Sequence, residues 1–154
     1  DAQIMISKDG YVLDTFMVLD QNGDPIEEEH HSVLINSLQK VLKDTRKRKM
    51  RLRRTPRNLM HFNVKTRVDF IPTKTKKRTL MEFVALDTPG LLATVGETFS
   101  ELDIHLHGAK ITTMGERAED LFILTSSDGG RLTEDEQRVL RDTLVKNVSE
   151  LAPQ

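Results

Sequence analysis

The sequence predicts an α+β protein, an antiparallel sheet with helices packed on one of its faces. Three observations predict it. Alternating strand patterns stand beside helical ones, Gly- and Asp-rich turn signals fall between them, and the whole pattern recurs within the chain. Of the 154 residues, 37% are apolar and 31% charged, a globular composition. Trp is absent, so Leu, Val and Ile must build the core.

The recurrence organises the chain. Segment 2–29, AQIMISKDGYVLDTFMVLDQNGDPIEEE, resembles segment 109–135, AKITTMGERAEDLFILTSSDGGRLTED. Asp14 falls on Asp120, Phe16 on Phe122 and Gly23 on Gly129 at an offset of 106. Upstream the offset becomes 107, so one residue is gained or lost in the hairpin turn. Each copy reads strand, tight turn, apolar strand, Gly-containing turn, helix. In copy one Leu34, Leu38, Val41 and Leu42 give the helix its apolar face. In copy two Thr133 and Glu136 make a capping box, followed by Val139, Leu140, Leu144 and Val148.

Copy two has further elements in front. Phe62, Val64, Thr66, Val68 and Phe70 alternate with polar residues, which predicts a strand over 62–70 that Pro72 ends. A polar turn leads to a strand over Leu80–Leu86. A helix follows with Leu91, Leu92, Val95, Phe99 and Leu102 on one side, then a strand over Ile104–Thr113. This order is the ferredoxin-like plan of βαββαβ, except that the chain after the last helix, VSELAPQ, is too short for a closing strand. Strand 62–70 fills that edge if it forms a hairpin with 80–86; the rival assignment gives it to copy one. Subtracting 106 from residues 79–107 puts their equivalents ahead of residue 2, so a piece of a longer protein is expected. The resulting division is 1–44 for a truncated first unit, 45–60 for a basic linker and 61–154 for the second unit. Two strands and a helix are too little to close a core, so residues 1–44 are expected to dock on copy two or on another chain, with a homo-oligomer as the outcome.

Charge is unevenly spread. Between Lys43 and Arg57 nine of fifteen residues are Lys or Arg and one is acidic, leaving 14 basic against 23 acidic residues elsewhere. Such a stretch fits a linker, a surface that docks on acidic neighbours, or a phosphate contact. Nucleic-acid binding on a sheet needs exposed aromatics to stack bases. Phe122 and Phe16 lie in apolar runs that read as core, which argues against it. There are no cysteines, no apolar run of about 20 residues and no signal-peptide pattern at the start, so a cytoplasmic protein without a membrane span is expected.

The candidate site is Asp87-Thr88-Pro89-Gly90-Leu91-Leu92, where a strand becomes a helix. Pro89 suits the first helical position, Thr88 or Asp87 can cap, and Gly90 keeps bulk away from the emerging amides. A helix start attracts anions, so an amino acid's carboxylate could meet the amides and its ammonium Asp87. A plain helix cap explains the same residues, and spacing alone leaves both readings open. His105 and His107 stand two apart on a strand with metal-ligand spacing, but no third ligand is evident. His30 and His31 read as a solvated helix start. Ser127-Asp128-Gly129-Gly130-Arg131 lacks the Lys-Ser/Thr of a phosphate loop and reads as a turn.

The segment ALDTPGLLATVGETFSELDIHLHGAKITT resembles an ACT domain, a ferredoxin-like amino-acid-sensing module. HFNVKTRVDFIPTKTKKRTLMEFVALDTPGLL, HGAKITTMGERAEDLFILT and SKDGYVLDTFMVLDQNG resemble the C-terminal tandem ACT region of the bifunctional uridylyltransferase/uridylyl-removing enzyme family. The resemblance implies glutamine as the ligand, the PII nitrogen-signalling protein as the parent enzyme's partner, and Mg2+ for the parent's transferase chemistry. It places the ligand at Asp87, Thr88, Pro89, Gly90, Leu91 and Leu92, with Asp103 and Ile104 at the neighbouring strand start. The family's catalytic signatures, Gly-Ser with Asp-x-Asp and a His-Asp metal pair, do not occur in this sequence. The resemblance therefore implies a non-catalytic chain without a cofactor or catalytic metal of its own. An ACT fragment of an amino-acid biosynthetic enzyme would share the turn but not the longer segments.

Overall fold

The computed structural model describes residues 1–7, 9–20, 22–44, 64–74 and 77–151. Among them, β1 (Ala2–Ile6), β2 (Val12–Phe16) and α1 (Glu28–Lys43) come first. β3 (Arg67–Ile71), β4 (Thr79–Leu86), α2 (Leu91–Glu101), β5 (His105–Ile111), β6 (Thr113–Met114), β7 (Arg117–Thr125) and α3 (Glu134–Ser149) follow. The strands form one antiparallel sheet in the order β2-β1-β5-β7-β4-β3, with short β6 paired to β7. The fold is α+β and ferredoxin-like.

Strand β3 takes the closing edge. It pairs with β4 from Arg67↔Val84 to Ile71↔Leu80, so the hairpin assignment holds and the edge of the second unit is filled from in front rather than from behind. The strand starts at Arg67, later than its alternating pattern suggested; residues 62 and 63 of that expectation lie outside the described ones. Arg141 of α3 fastens β3 by donating to the Val68 carbonyl (3.1 Å) and lying 5.2 Å from the Phe70 ring centroid.

Period-2 burial on the strands meets period-3.6 burial on the helices. Met81, Phe83 and Ala85 of β4, with Ala118, Phe122 and Leu124 of β7, face Leu91, Val95 and Phe99 of α2 and Leu140, Leu144 and Val148 of α3. Phe122 meets Phe83 and Phe99 edge-on, at 6.5 and 5.3 Å between centroids, which makes it core. Leu92 and Val139, expected on the apolar faces, are instead 42% and 45% exposed at the rims of their helical stripes. The Thr133–Glu136 capping box forms as expected, with Glu136 N–H donating to Thr133 Oγ1 and Thr133 N–H to Glu136 Oε2.

The repeat is visible bond by bond. The Ser126 N–H donates to Gly130 O and the Gly129 N–H to Ser126 O; 106 residues earlier, Asp20 N–H donates to Asp24 O and Gly23 N–H to Asp20 O. Gly129 and Gly23 both take left-handed φ, 79° and 88°. In the hairpins, Ala2 pairs with Phe16 as Ala109 pairs with Phe122, and Gln3 with Thr15 as Lys110 with Leu121. The surroundings differ. In copy two β4 and α2 cover this unit, whereas α1 has no buried residue and Phe16 is 58% exposed. The expected docking of the first repeat occurs through β1, which adds to β5, and among the described residues nothing covers the apolar face of α1. No helix of the described residues is long and apolar enough to cross a membrane.

Candidate ligand site at one end of the sheet

The chain leaves β4 at Leu86 and turns into α2 within four residues. Leu91 N–H donates to the Thr88 carbonyl at 3.0 Å, and Gly90 between them has φ 91° and ψ −1°. Those angles, with Pro89 before them, define a type II turn, which favours Pro at its second position and requires a residue with positive φ at its third. This corrects the helix-start expectation. Gly90, not Thr88 or Asp87, is the N-cap; no side chain caps the helix, and Pro89 lies outside it. The physical reason is that Pro-Gly satisfies a type II corner better than it starts a helix. Asp87 is exposed and its N–H is held by the Glu116 carbonyl at 2.9 Å, which ties the turn to the start of β7. Thr88 and Leu91 are buried beneath it.

Asp103 and Ile104 are placed elsewhere. They follow α2, whose 11 residues carry the chain about 16 Å away from the turn, to the opposite end of the sheet. There they close the helix: Ile104 N–H donates to Phe99 O (2.8 Å) and Asp103 N–H to Ser100 O (3.4 Å), with Asp103 at φ 52°. This is a Schellman cap with Asp in the left-handed place that Gly usually takes, and buried Phe99 and Ile104 supply its apolar contact. Within this chain the six turn residues are brought together and these two are not.

The turn's end of the sheet also holds the seam between the repeats. β4 and β5 run parallel through their common neighbour β7, so Leu86 and Ile111 point the same way, and β1 starts at that end opposite Ile111. An open hollow of about 680 Å3 lies on the seam, lined by Ala2, Gln3, Met17, Lys110, Ile111 and Thr112. Behind it sits Asp120, 1% exposed on the core face of β7. Its Oδ1 accepts the Thr112 N–H at 3.2 Å, while its Oδ2 has no hydrogen-bond partner among the described residues. Burial pushes this carboxyl up to about 6 despite the Thr112 N–H, and negative Asp87 nearby adds to the rise. The sequence reading used Asp120 to anchor the repeat and missed its burial. The signal was present: Ala118, Asp120, Phe122 and Leu124 share one strand face, so an acid stands in an inward register.

The other candidates have local partners. His107 Nε2 lies 2.9 Å from Thr125 Oγ1, and burial lowers its pKa, whereas His105 sits 3.8 Å from Asp103. Asp128 accepts from Ser126 Oγ and from the Gly130 N–H, an arrangement that braces a turn. Glu27, Glu29 and exposed His30 are the one group among the described residues with metal-ligand spacing. The basic stretch lies outside the described residues beyond Asp44.

The arrangement thus offers a two-sided end. On one side is a Pro-Gly corner with the exposed Asp87, on the other a hollow lined in part by Lys110, Ile111 and Thr112.

Comparison with known proteins finds no matching family model and no matching solved structure. Curated relatives do match. The chain is 69% identical over 153 residues, 99% of its length, to a bifunctional uridylyltransferase/uridylyl-removing enzyme of Vibrio cholerae. It is 67% identical over 153 residues to the protein of that name in Vibrio atlanticus, and 66% identical over 152 residues to that of Aliivibrio fischeri strain MJ11. It spans about 18%, 18% and 17% of their lengths. Over nearly its whole length, then, the chain matches one segment of the bifunctional uridylyltransferase/uridylyl-removing enzymes.

Proposed function

We propose that this chain is the amino-acid-sensing regulatory segment of a bifunctional uridylyltransferase/uridylyl-removing enzyme, built from ACT units, with glutamine as its ligand. The observation that carries the reading is the identity of 65–69% over 97–99% of the chain to enzymes of that name. It is supported locally by the Asp87-Thr88-Pro89-Gly90 corner at the end of the sheet where the two repeats meet. Glutamine's carboxylate would be received by amides at the start of α2 and its ammonium by Asp87; Leu91 and Leu92 flank them. Asp103 and Ile104 belong to the proposed site only if another ACT unit or chain brings them to a ligand.

The segment itself is non-catalytic in this reading, and catalysis with its Mg2+ belongs to the rest of the parent enzyme. The parent transfers UMP to PII protein and removes it, in the cytoplasm. The unpartnered face of α1 supports a further ACT half that completes the first unit, or a homo-oligomer that does so. Regulation follows from linkage: glutamine shifts the balance of two states of the parent only by the ratio of its affinities for them.

Calorimetry on this chain with glutamine, other amino acids and an RNA oligomer tests the reading. Glutamine alone should bind; RNA binding without glutamine binding would overturn it. In the full enzyme, Asp87→Ala should blunt the glutamine response and leave basal transfer intact, and an unmoved glutamine dose curve would remove Asp87 from the site.

A further inference from the structure

The seam between the repeats has a symmetry of its own. The offset of 107 places Ala2 on Ala109, Gln3 on Lys110 and Ile4 on Ile111. In the β1–β5 ladder Ala2 faces Ile111 and Ile4 faces Ala109, so each of these pairs is the repeat image of the other. Gln3 faces Lys110, which is its own equivalent. A local two-fold axis therefore passes through the Gln3–Lys110 pair, and β1 and β5 meet as an isologous interface does, within one chain.

A strand that is two-fold with its near-copy is geometrically able to be two-fold with itself. If β5 of one chain met β5 of another in the present register, Ala109 would face Ile111 twice, the same apolar chemistry as Ala2 facing Ile111 now. Only the axis would change. Lys110 would face Lys110, on the helix-free side of the sheet, where both Gln3 and Lys110 are exposed. Directly opposed residues of an antiparallel pair stand close enough for like charges to repel. We infer that Lys110, set against neutral Gln3 at this axis, is a partner-selecting residue: it lets β5 accept the first repeat's strand and refuse a second copy of itself. The inference stands whether or not the turn binds an amino acid.

The test uses the full chain. Gln3→Lys places two ammoniums at the axis and should speed hydrogen exchange of the β1 and β5 seam amides about 2–5-fold at low salt, less at high salt. Exchanging the two residues, Gln3→Lys with Lys110→Gln, should restore the original rate, because the axis makes the two arrangements equivalent. Lys110→Gln alone leaves the internal pair neutral but removes the repulsion between copies. Its dimer fraction in sedimentation velocity should exceed that of Lys110→Arg about 2–5-fold, a comparison that cancels association through other surfaces. A swap that fails to rescue exchange, or equal dimer fractions for Lys110→Gln and Lys110→Arg, would overturn the inference.

Discussion

Asp120→Asn puts the buried acid to a quantitative test. An ordinary Asp titrates near 3.8, and burial moves Asp120 up to about 6 in the fold. Because the folded pKa is the higher one, the folded chain holds this proton more tightly than the unfolded chain. Stability is therefore undiminished below the unfolded pKa, falls as pH rises from about 4 to about 6, and levels off above. A rise of that size costs the ionised fold about 3 kcal/mol, of which about 2 kcal/mol is lost between pH 4.5 and pH 7.5. The group is 1% exposed, so solvent screening removes little of this. Asn has nearly the same shape, still accepts the Thr112 N–H and does not titrate. Its amide hydrogens meet no evident acceptor, so its absolute stability is a poor readout. The slope is the clean one. Urea unfolding of both proteins across that pH range should show the Asp-minus-Asn difference falling by about 2 kcal/mol. A difference constant to within about 0.5 kcal/mol would refute the buried-acid reasoning, since it would mean that Asp120 titrates alike in both states.

Gly90→Ala forces a side chain into φ 91° and should cost about 1–2 kcal/mol in urea unfolding; an unchanged midpoint would contradict the type II corner. Asp103→Gly relieves the left-handed residue of the Schellman cap and should raise stability by about 0.5–1 kcal/mol, read as an upward shift in Tm. Gly108→Ala would set a Cβ 3.2 Å from the Ile4 carbonyl oxygen and 3.6 Å from Ile123 Cδ1. Hydrogen exchange should then quicken in β1 and β2 while α2 and α3 stay protected, and loss of protection in the helices as well would show that the hairpin is not a separable element.

The strands of the second unit and the β3–β4 hairpin were legible because they rest on periodicity and a short connection, whereas the β1–β5 join that extends the sheet was not. Alternation in Val68 and Phe70, and again in Met81, Phe83 and Ala85, marks one buried face each, and Pro72 with a polar turn leaves a hairpin as the short connection. The repeat was legible for a similar reason: Gly23 and Gly129 mark turns that only a residue at home with positive φ makes easily. The corner at Pro89-Gly90 is ambiguous in the sequence because one dipeptide serves both a helix start and a type II turn. Asp103 and Ile104 were set beside the turn by the resemblance, although the helix predicted between them and the turn already carries the chain to the other end of the sheet. An apolar stripe does not report whether anything covers it. Leu38, Val41 and Leu42 form the expected helix face, yet all three are exposed.

The position of β3 has a kinetic consequence. A ferredoxin-like unit closed from behind would bring a strand after α3 back to β4, with everything from Leu86 to Ser149 in the intervening loop. Here the closing strand precedes β4 and is joined to it through residues 72–78. Loop-closure entropy rises by about 0.6 kcal/mol per doubling of length, so a roughly eightfold shorter connection lowers the entropic cost of that pairing by about 2 kcal/mol. The outermost strand can then form before the helices are in place, and β3–β4 can template β7 rather than wait for it. A nucleus in that hairpin predicts that Val68→Ala slows folding, whereas truncations in α3 chiefly speed unfolding.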